Sequence, residues 1–207
     1  MISLGTCQKT RAVAIGAGGM TSFAVDEDGV LWAWGSNHLG QAGTGSGEME
    51  IWLPTKVVGL SKEELGGATV VAMQGGEHHS LFLTSDGKIY ACGRADAGQL
   101  GLPKDHVLFA ERKEDRDHLR VPALVNIPDA DDPIVAISCG THNNAAVMKG
   151  GVLYCWGQGL QGELGVKGKE EVWEPTVVVR KEGGKWKAIT VSCGGQHTVG
   201  LFVSKGK

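Results

Sequence analysis

Apolar runs are short throughout this 207-residue sequence. None approaches the roughly 20 residues that a helix needs to cross a bilayer, and the opening Met1 to Arg11 lacks the apolar centre of a signal peptide. An excess of charge of one sign is also missing. Twenty Lys and Arg stand against 23 Asp and Glu, a net charge of −3, which argues against binding of a phosphate backbone as the main activity. Five cysteines leave one over after any pairing, and no Cys-x-x-Cys spacing occurs, so neither a zinc site nor a redox dithiol is indicated. Gly-x-x-x-x-Gly-Lys-Ser/Thr and His-Glu-x-x-His are absent, which removes support for phosphate-loop and zinc-protease chemistry. Gly157-Gln158-Gly159-Leu160-Gln161-Gly162 fits the letters of Gly-x-Gly-x-x-Gly. A Glu-Leu-Gly turn and a polar loop follow it, not the helix whose N-terminus would take a pyrophosphate. No cofactor and no metal are expected. With 42% hydrophobic and 21% charged residues, the composition is that of a soluble globular chain, and it reads as intracellular.

Glycine is abundant, with 33 residues set at intervals rather than in a low-complexity tract. The stretch Gln74 to Gly101 shows the unit they punctuate. Apolar residues alternate on either side of Asp86-Gly87, a pair suited to a two-residue hairpin turn. Gly98-Gln99-Leu100-Gly101 marks a tight reversal about one strand later. These markers recur upstream at Asp28-Gly29, Trp34-Gly35 and Gly40-Gln41-Ala42-Gly43, and downstream at Gly150-Gly151, Trp156-Gly157 and Gly162-Glu163-Leu164-Gly165. Two independent markers agree in phase: Asp28, Asp86 and Gly150 are spaced by 58 and 64 residues, as are Gly35, Gly93 and Gly157. Each unit also carries a late strand that begins at proline, Pro54, Pro122 or Pro175, a residue suited to a strand start or an edge. Four strands per unit, with one apolar face that a single unit cannot bury, predict an all-β chain of β-propeller blades. The repeats run over about 12–69, 70–133 and 134–187, with a half repeat over 188–207, in one partial propeller spanning 1–207. About fourteen strands are expected, too few to close a ring that normally needs roughly four to eight blades.

Gly-Gly-x-His, Asp-Gly, Trp-Gly and Gly-Gln-Leu-Gly, in this order and phase, resemble the repeats of the regulator of chromosome condensation family. Gly75-Gly76-Glu77-His78-His79-Ser80, Gly93-Arg94-Ala95-Asp96 and Ser192 to Val199 are further similar to the C-terminal half of the family's nuclear exchange factor for the Ran GTPase. The resemblance implies a C-terminal part of a seven-bladed propeller about twice this length, with missing blades or a second copy completing it. It also implies a nuclear guanine-nucleotide exchange factor whose partner is a Ran-type small GTPase. Such a factor does no covalent chemistry; it binds the nucleotide-free GTPase more tightly than the loaded form. Chromatin or histone contact would be made by segments absent here, and the family's phosphate-loop wedge belongs to an earlier repeat.

The partner-binding candidates are Asn37, His78, Arg94, His142 and His197, all at turns or strand ends and expected to be solvent-accessible on one face. Two readings of the histidines stand side by side: each bonds a neighbouring loop at a blade end, or together they present a partner surface. Resemblance favours the second for His78 and His197, while Thr141-His142-Asn143-Asn144 departs from the repeat pattern. Two other function classes remain, a propeller scaffold or sensor without exchange activity and an enzyme using the histidine-rich face. Cys139 and Cys193 share a repeat position and Cys92 replaces a tryptophan, which suits small buried apolar residues. Pro103 to Val121 carries five charges of each sign and reads as a solvated insertion.

Overall fold

The computed structural model describes residues 10–110, 117–128, 131–179 and 184–206, which contain fourteen β-strands and one short helix. Strands β1 (Ala12–Ala17), β2 (Thr21–Asp26), β3 (Leu31–Ser36) and β4 (Glu50–Lys56) form the first antiparallel sheet. β5 (Val70–Gly75), β6 (His79–Thr84), β7 (Ile89–Arg94) and β8 (His118–Val125) form the second. β9 (Ile134–Cys139), β10 (Asn143–Met148), β11 (Leu153–Gln158) and β12 (Glu171–Val179) form the third. β13 (Trp186–Cys193) and β14 (Thr198–Ser204) pair as a two-stranded sheet. Strand order within each sheet follows chain order, so each is a meander, and first strands β1, β5, β9 and β13 lie side by side along the arc. The sheets do not close on one another, and the architecture is a partial β-propeller.

Local geometry departs from expectation in three places. The hairpin turns hold three residues rather than two: Asp26 N–H bonds the Val30 carbonyl at 3.1 Å and Gly29 N–H the Asp26 carbonyl at 2.9 Å, and Thr84 to Lys88 and Met148 to Val152 repeat the pattern. In this turn only the last loop residue must be left-handed, and Gly29, Gly87 and Gly151 take φ of 81°, 81° and 87°. The prolines lie inside β4, β8 and β12 rather than at their starts. Each is on the outermost strand beside a register shift, where a missing N–H leaves no ladder bond unmade. The charged insertion is shorter than its sequence suggests, because Phe109 on α1 (Val107–Ala110) is in the core and His118 and Leu119 are buried at the start of β8. Residues 111–116, with six of its charges, lie outside the described residues, as do 1–9.

Blades meet through side chains and through a repeated polar contact. Phe23 and Phe82 pack edge to face across the first junction, ring centroids 5.3 Å apart at 86°. Next to them, the Gln41 carbonyl in the Gly40–Gly43 loop accepts from Ser80 Oγ at 2.7 Å and faces Cys92 Sγ at 3.6 Å. At the second junction the Gln99 carbonyl accepts from Asn144 Nδ2 at 2.8 Å and Trp156 Nε1 at 3.3 Å. The opening glycine of each loop is pressed on the next blade: a Cβ at Gly40 would lie 2.7 Å from the Leu119 carbonyl oxygen, and one at Gly98 2.7 Å from that of Val172. At the corresponding Gly162 a Cβ would meet nothing within 4 Å.

That difference separates backbone strain from blade contact. Gly98 and Gly162 have similar φ, 78° and 85°, so both alanine variants carry the left-handed penalty of roughly 1–2 kcal/mol. Only Gly98→Ala also meets a backbone oxygen, and it is expected to cost about 2 kcal/mol more than Gly162→Ala. Urea unfolding of the two variants measures this, and equal losses would remove the wedge from the account.

Candidate functional site

Each blade turns from its first to its second strand through the same bonded loop. Gly18, Gly76, Gly140 and Gly194 donate N–H to the carbonyls of Thr21, His79, Asn143 and His197 at 2.8, 2.9, 2.7 and 2.8 Å. Strand pairing agrees: Ala17, Gly75, Cys139 and Cys193 stand opposite Ser22, Ser80, Asn144 and Thr198. Met20, His78, His142 and Gln196 therefore share one position, and Thr21, His79, Asn143 and His197 share the next. The sequence match of His78 with His197 is one residue out of register, because Gly75 closes a strand whereas Gly194 and Gly195 both belong to the turn. His79 is the true counterpart of His197.

Four of the five selected residues come together at these blade ends. Glu77 bridges the second and third blades, with its two carboxylate oxygens 3.8 Å from His78 Nε2 and 3.4 Å from His142 Nε2. The His78 carbonyl accepts the Arg94 N–H at 2.8 Å, which sets Arg94 next to the turn. Its guanidinium makes two bonds to Asp96, at 2.7 and 2.8 Å, and lowers that carboxyl's pKa. His197 is exposed, and with Thr141, His142, Gln158 and Glu163 it lines a cleft of about 540 Å³. These groups make a polar, hydrogen-bonding surface of mixed charge, suited to recognising another protein.

Asn37 does not belong to this surface. It is 3% exposed, and its side chain staples its own loop, with Nδ2 donating to the carbonyls of Ser46 and Glu48 and Oδ1 accepting from Ala42 N–H. The expected exposure fails because Asn37 lies one residue beyond the place of Arg94: Ser36 and Gln158 occupy that place in the other blades. Among the described residues no group of three His, Cys, Asp or Glu is arranged to hold a metal. Among the described residues the cysteines are held as thiols. Burial keeps Cys92 and Cys139 protonated and pushes Cys155 up to about 12.

His79, outside the selected set, is the buried partner of the surface. Its ring lies on Gly76, and Nε2–H donates to Asn144 Oδ1 of the next blade at 2.7 Å. Burial lowers its pKa from 6.5 to about 4, with His142, His78 and Arg94 adding repulsion against the bond to Asn144. The unfolded chain therefore binds a proton here at a higher pH than the folded chain, and stability falls as pH drops from about 6.5 toward 4. His79→Asn, which places the residue found at Asn143, is expected to flatten that fall by up to about 3 kcal/mol. Urea unfolding at pH 7 and pH 4.5 measures it; an unchanged pH dependence would mean that His79 titrates alike in both states.

The comparisons with known proteins agree with this geometry. The family model described as RCC1-like domain matches residues 2–200. Protein pim1 of Schizosaccharomyces pombe is 34% identical over 195 residues, covering 90% of this chain and 35% of its own. Guanine nucleotide exchange factor SRM1 of Saccharomyces cerevisiae is 31% identical over 186 residues, covering 89% and 38%. The crystal structure of Prp20p from Saccharomyces cerevisiae, studied with its binding to Gsp1p and histones, superposes with a TM-score of 0.83 at 28% identity, over 95% of this chain and 44% of that one. The chain spans about two fifths of the length of these relatives. With the repeat phase, the four-stranded blades and a match over nearly its whole length, the chain belongs to the RCC1-like domain family.

Proposed function

We propose that this chain is a GTPase-binding part of a guanine-nucleotide exchange factor for a Ran-type small GTPase, acting in the nucleus through the blade-end surface of His78, Arg94, His142 and His197. The observation that carries the reading is its similarity along nine tenths of its length to a protein named as an exchange factor, with those side chains gathered on the turns. Exchange breaks no covalent bond in the nucleotide. A surface that binds the empty GTPase more tightly than the loaded one lowers nucleotide affinity by the same factor, so shape and hydrogen-bonding capacity suffice and no acid–base pair is needed. The Glu77 N–H donates to the Thr141 carbonyl at 3.1 Å and its carboxylate lies 3.4 Å from His142 Nε2, which sets the two neighbouring turns side by side as one surface. Contact with chromatin or histones falls to segments outside the 207 residues, consistent with a net charge of −3.

The test is retention of a Ran-type GTPase on the immobilised chain, nucleotide-free and GDP-loaded, beside other small GTPases. Retention of the nucleotide-free Ran-type protein is expected to be at least about tenfold tighter. His142→Ala and His78→Ala are each expected to weaken it about tenfold while leaving the melting temperature within 2 °C or so, because both side chains are partly exposed. Equal retention of the two nucleotide states would leave a scaffold without exchange activity as the reading. Loss of folding in the variants would make the histidines structural.

A further inference from the structure

The loop after the third strand of each full blade is closed by one side chain. Gln41 Oε1 accepts the Leu39 N–H and Gln99 Oε1 the Ala97 N–H, both at 2.9 Å, and Glu163 Oε2 accepts the Gln161 N–H at 2.6 Å in the same way. The other end of the group differs. Each glutamine has an amide left to give, and Gln41 Nε2 donates to Ser36 Oγ and Gln99 Nε2 to Asp96 Oδ1, both at 3.2 Å. Glu163 has only a second carboxylate oxygen, which cannot donate. Strand pairing puts Gln158 at the place of Ser36 and Arg94, and Leu160 follows it where Asp96 follows Arg94. In the second blade the chain answers its own acid, since Arg94 makes two bonds to Asp96. In the third blade the acid sits on the loop at Glu163, the place of the arginine holds a neutral amide, and among the described residues Glu163 makes no ion pair. Glu163 is 9% exposed and lines the cleft of about 540 Å³ with His142, Gln158 and His197. A carboxylate so far out of water is costly unless a cation meets it. The loop does not require the charge, because glutamine closes the same bond in the two other blades.

We infer that this cleft receives a basic side chain, lysine or arginine, from the bound partner, and that its cation pairs with the second oxygen of Glu163 as Arg94 pairs with Asp96. The inference rests on the GTPase-binding reading of the blade-end surface and names the group that the GTPase brings to it. A charge-assisted bond in a cleft screened from water is stronger than one at an open rim. It also discriminates, because a partner with an apolar or acidic side chain at that point leaves the carboxylate unanswered. The neighbouring side chains suit the role: Gln158 offers an amide oxygen to a second N–H of the incoming cation, and exposed Leu160 gives its aliphatic stem an apolar wall.

The test removes the charge and keeps the loop. Glu163→Gln places the residue found at Gln41 and Gln99, so its melting temperature is expected to stay within about 2 °C of the parent's or to rise. Its retention of the nucleotide-free Ran-type GTPase is expected to fall at least about tenfold at low salt and to depend less on salt. Glu170→Gln removes the same charge from an exposed position outside the cleft and is expected to change retention less than about twofold. Gln158→Arg supplies a cation from within the chain and is expected to weaken retention as Glu163→Gln does; it decides the matter should Glu163→Gln misfold. Retention equal to the parent's in Glu163→Gln and Gln158→Arg, or an equal loss in Glu170→Gln, overturns the inference and leaves the GTPase-binding reading in place. A second measurement does not depend on the GTPase. N-acetylarginine amide is titrated into the 207-residue chain and followed at the Gln161 amide resonance, whose N–H lies on Glu163. A saturable shift in the millimolar range is expected in the parent and none in Glu163→Gln. If the parent retains no GTPase, the GTPase-binding reading fails and the titration alone decides, with no shift at Gln161, or the same shift in both proteins, overturning the inference.

Discussion

One backbone carbonyl per junction, at Gln41 and at Gln99, is the contact on which the arrangement of the three full blades depends. A blade is a meander with two broad faces, and apolar packing between twisted sheets tolerates small slides and rotations. A carbonyl that must meet two donors on the next blade, Ser80 and Cys92 or Asn144 and Trp156, does not. Because the donors sit on adjacent strands in fixed register, the junction sets both the height and the tilt of one sheet on the next. The glycines of the loop follow from this constraint. Any side chain at Gly40 or Gly98 would hold the loop away from the strand it leans on.

The same constraint makes a functional surface possible. With the junction held by the long loops, the short turns between first and second strands are left to project from the blade ends, and their third residue varies from Met20 to His78, His142 and Gln196. One residue later the side chains of the three full blades turn inward, at Thr21, His79 and Asn143, while His197 at the same place in the two-stranded sheet is exposed. His79 serves both regions. It ties two blades through Asn144, and it stays neutral under a surface that carries two further histidines and Arg94. A polar group can be buried there because its single bond crosses the junction.

Much of the fold is legible in the sequence because glycine placement reports backbone geometry. Gly29, Gly87 and Gly151 need a left-handed φ, and their spacing exposes the repeat directly. Proline was less informative. Its missing N–H is tolerated wherever a strand edge faces outward, so Pro54 marks an outer strand but not where that strand begins. The candidate surface is legible only in part. His78 and Arg94 lie where turn chemistry points, but the doubled Gly75-Gly76 conceals a one-residue difference from Gly194-Gly195 that only strand pairing resolves. Asn37 reads as a turn residue like its neighbours, and nothing local shows that its amide closes the loop from Ser46 and Glu48.

If the shared carbonyls hold the blades, stability should be greatest where a blade is clamped on both sides and should decline toward the ends of the arc, as in repeat proteins stabilised by their neighbours. Native-state hydrogen exchange, read amide by amide across β1 to β14, tests this directly. The account predicts the slowest exchange in β6, β7, β10 and β11, whose residues donate to the two carbonyls or flank those that do, and faster opening of β3, β4 and the β13–β14 pair. Uniform protection across all four sheets, or a first blade that outlasts the second, would contradict it.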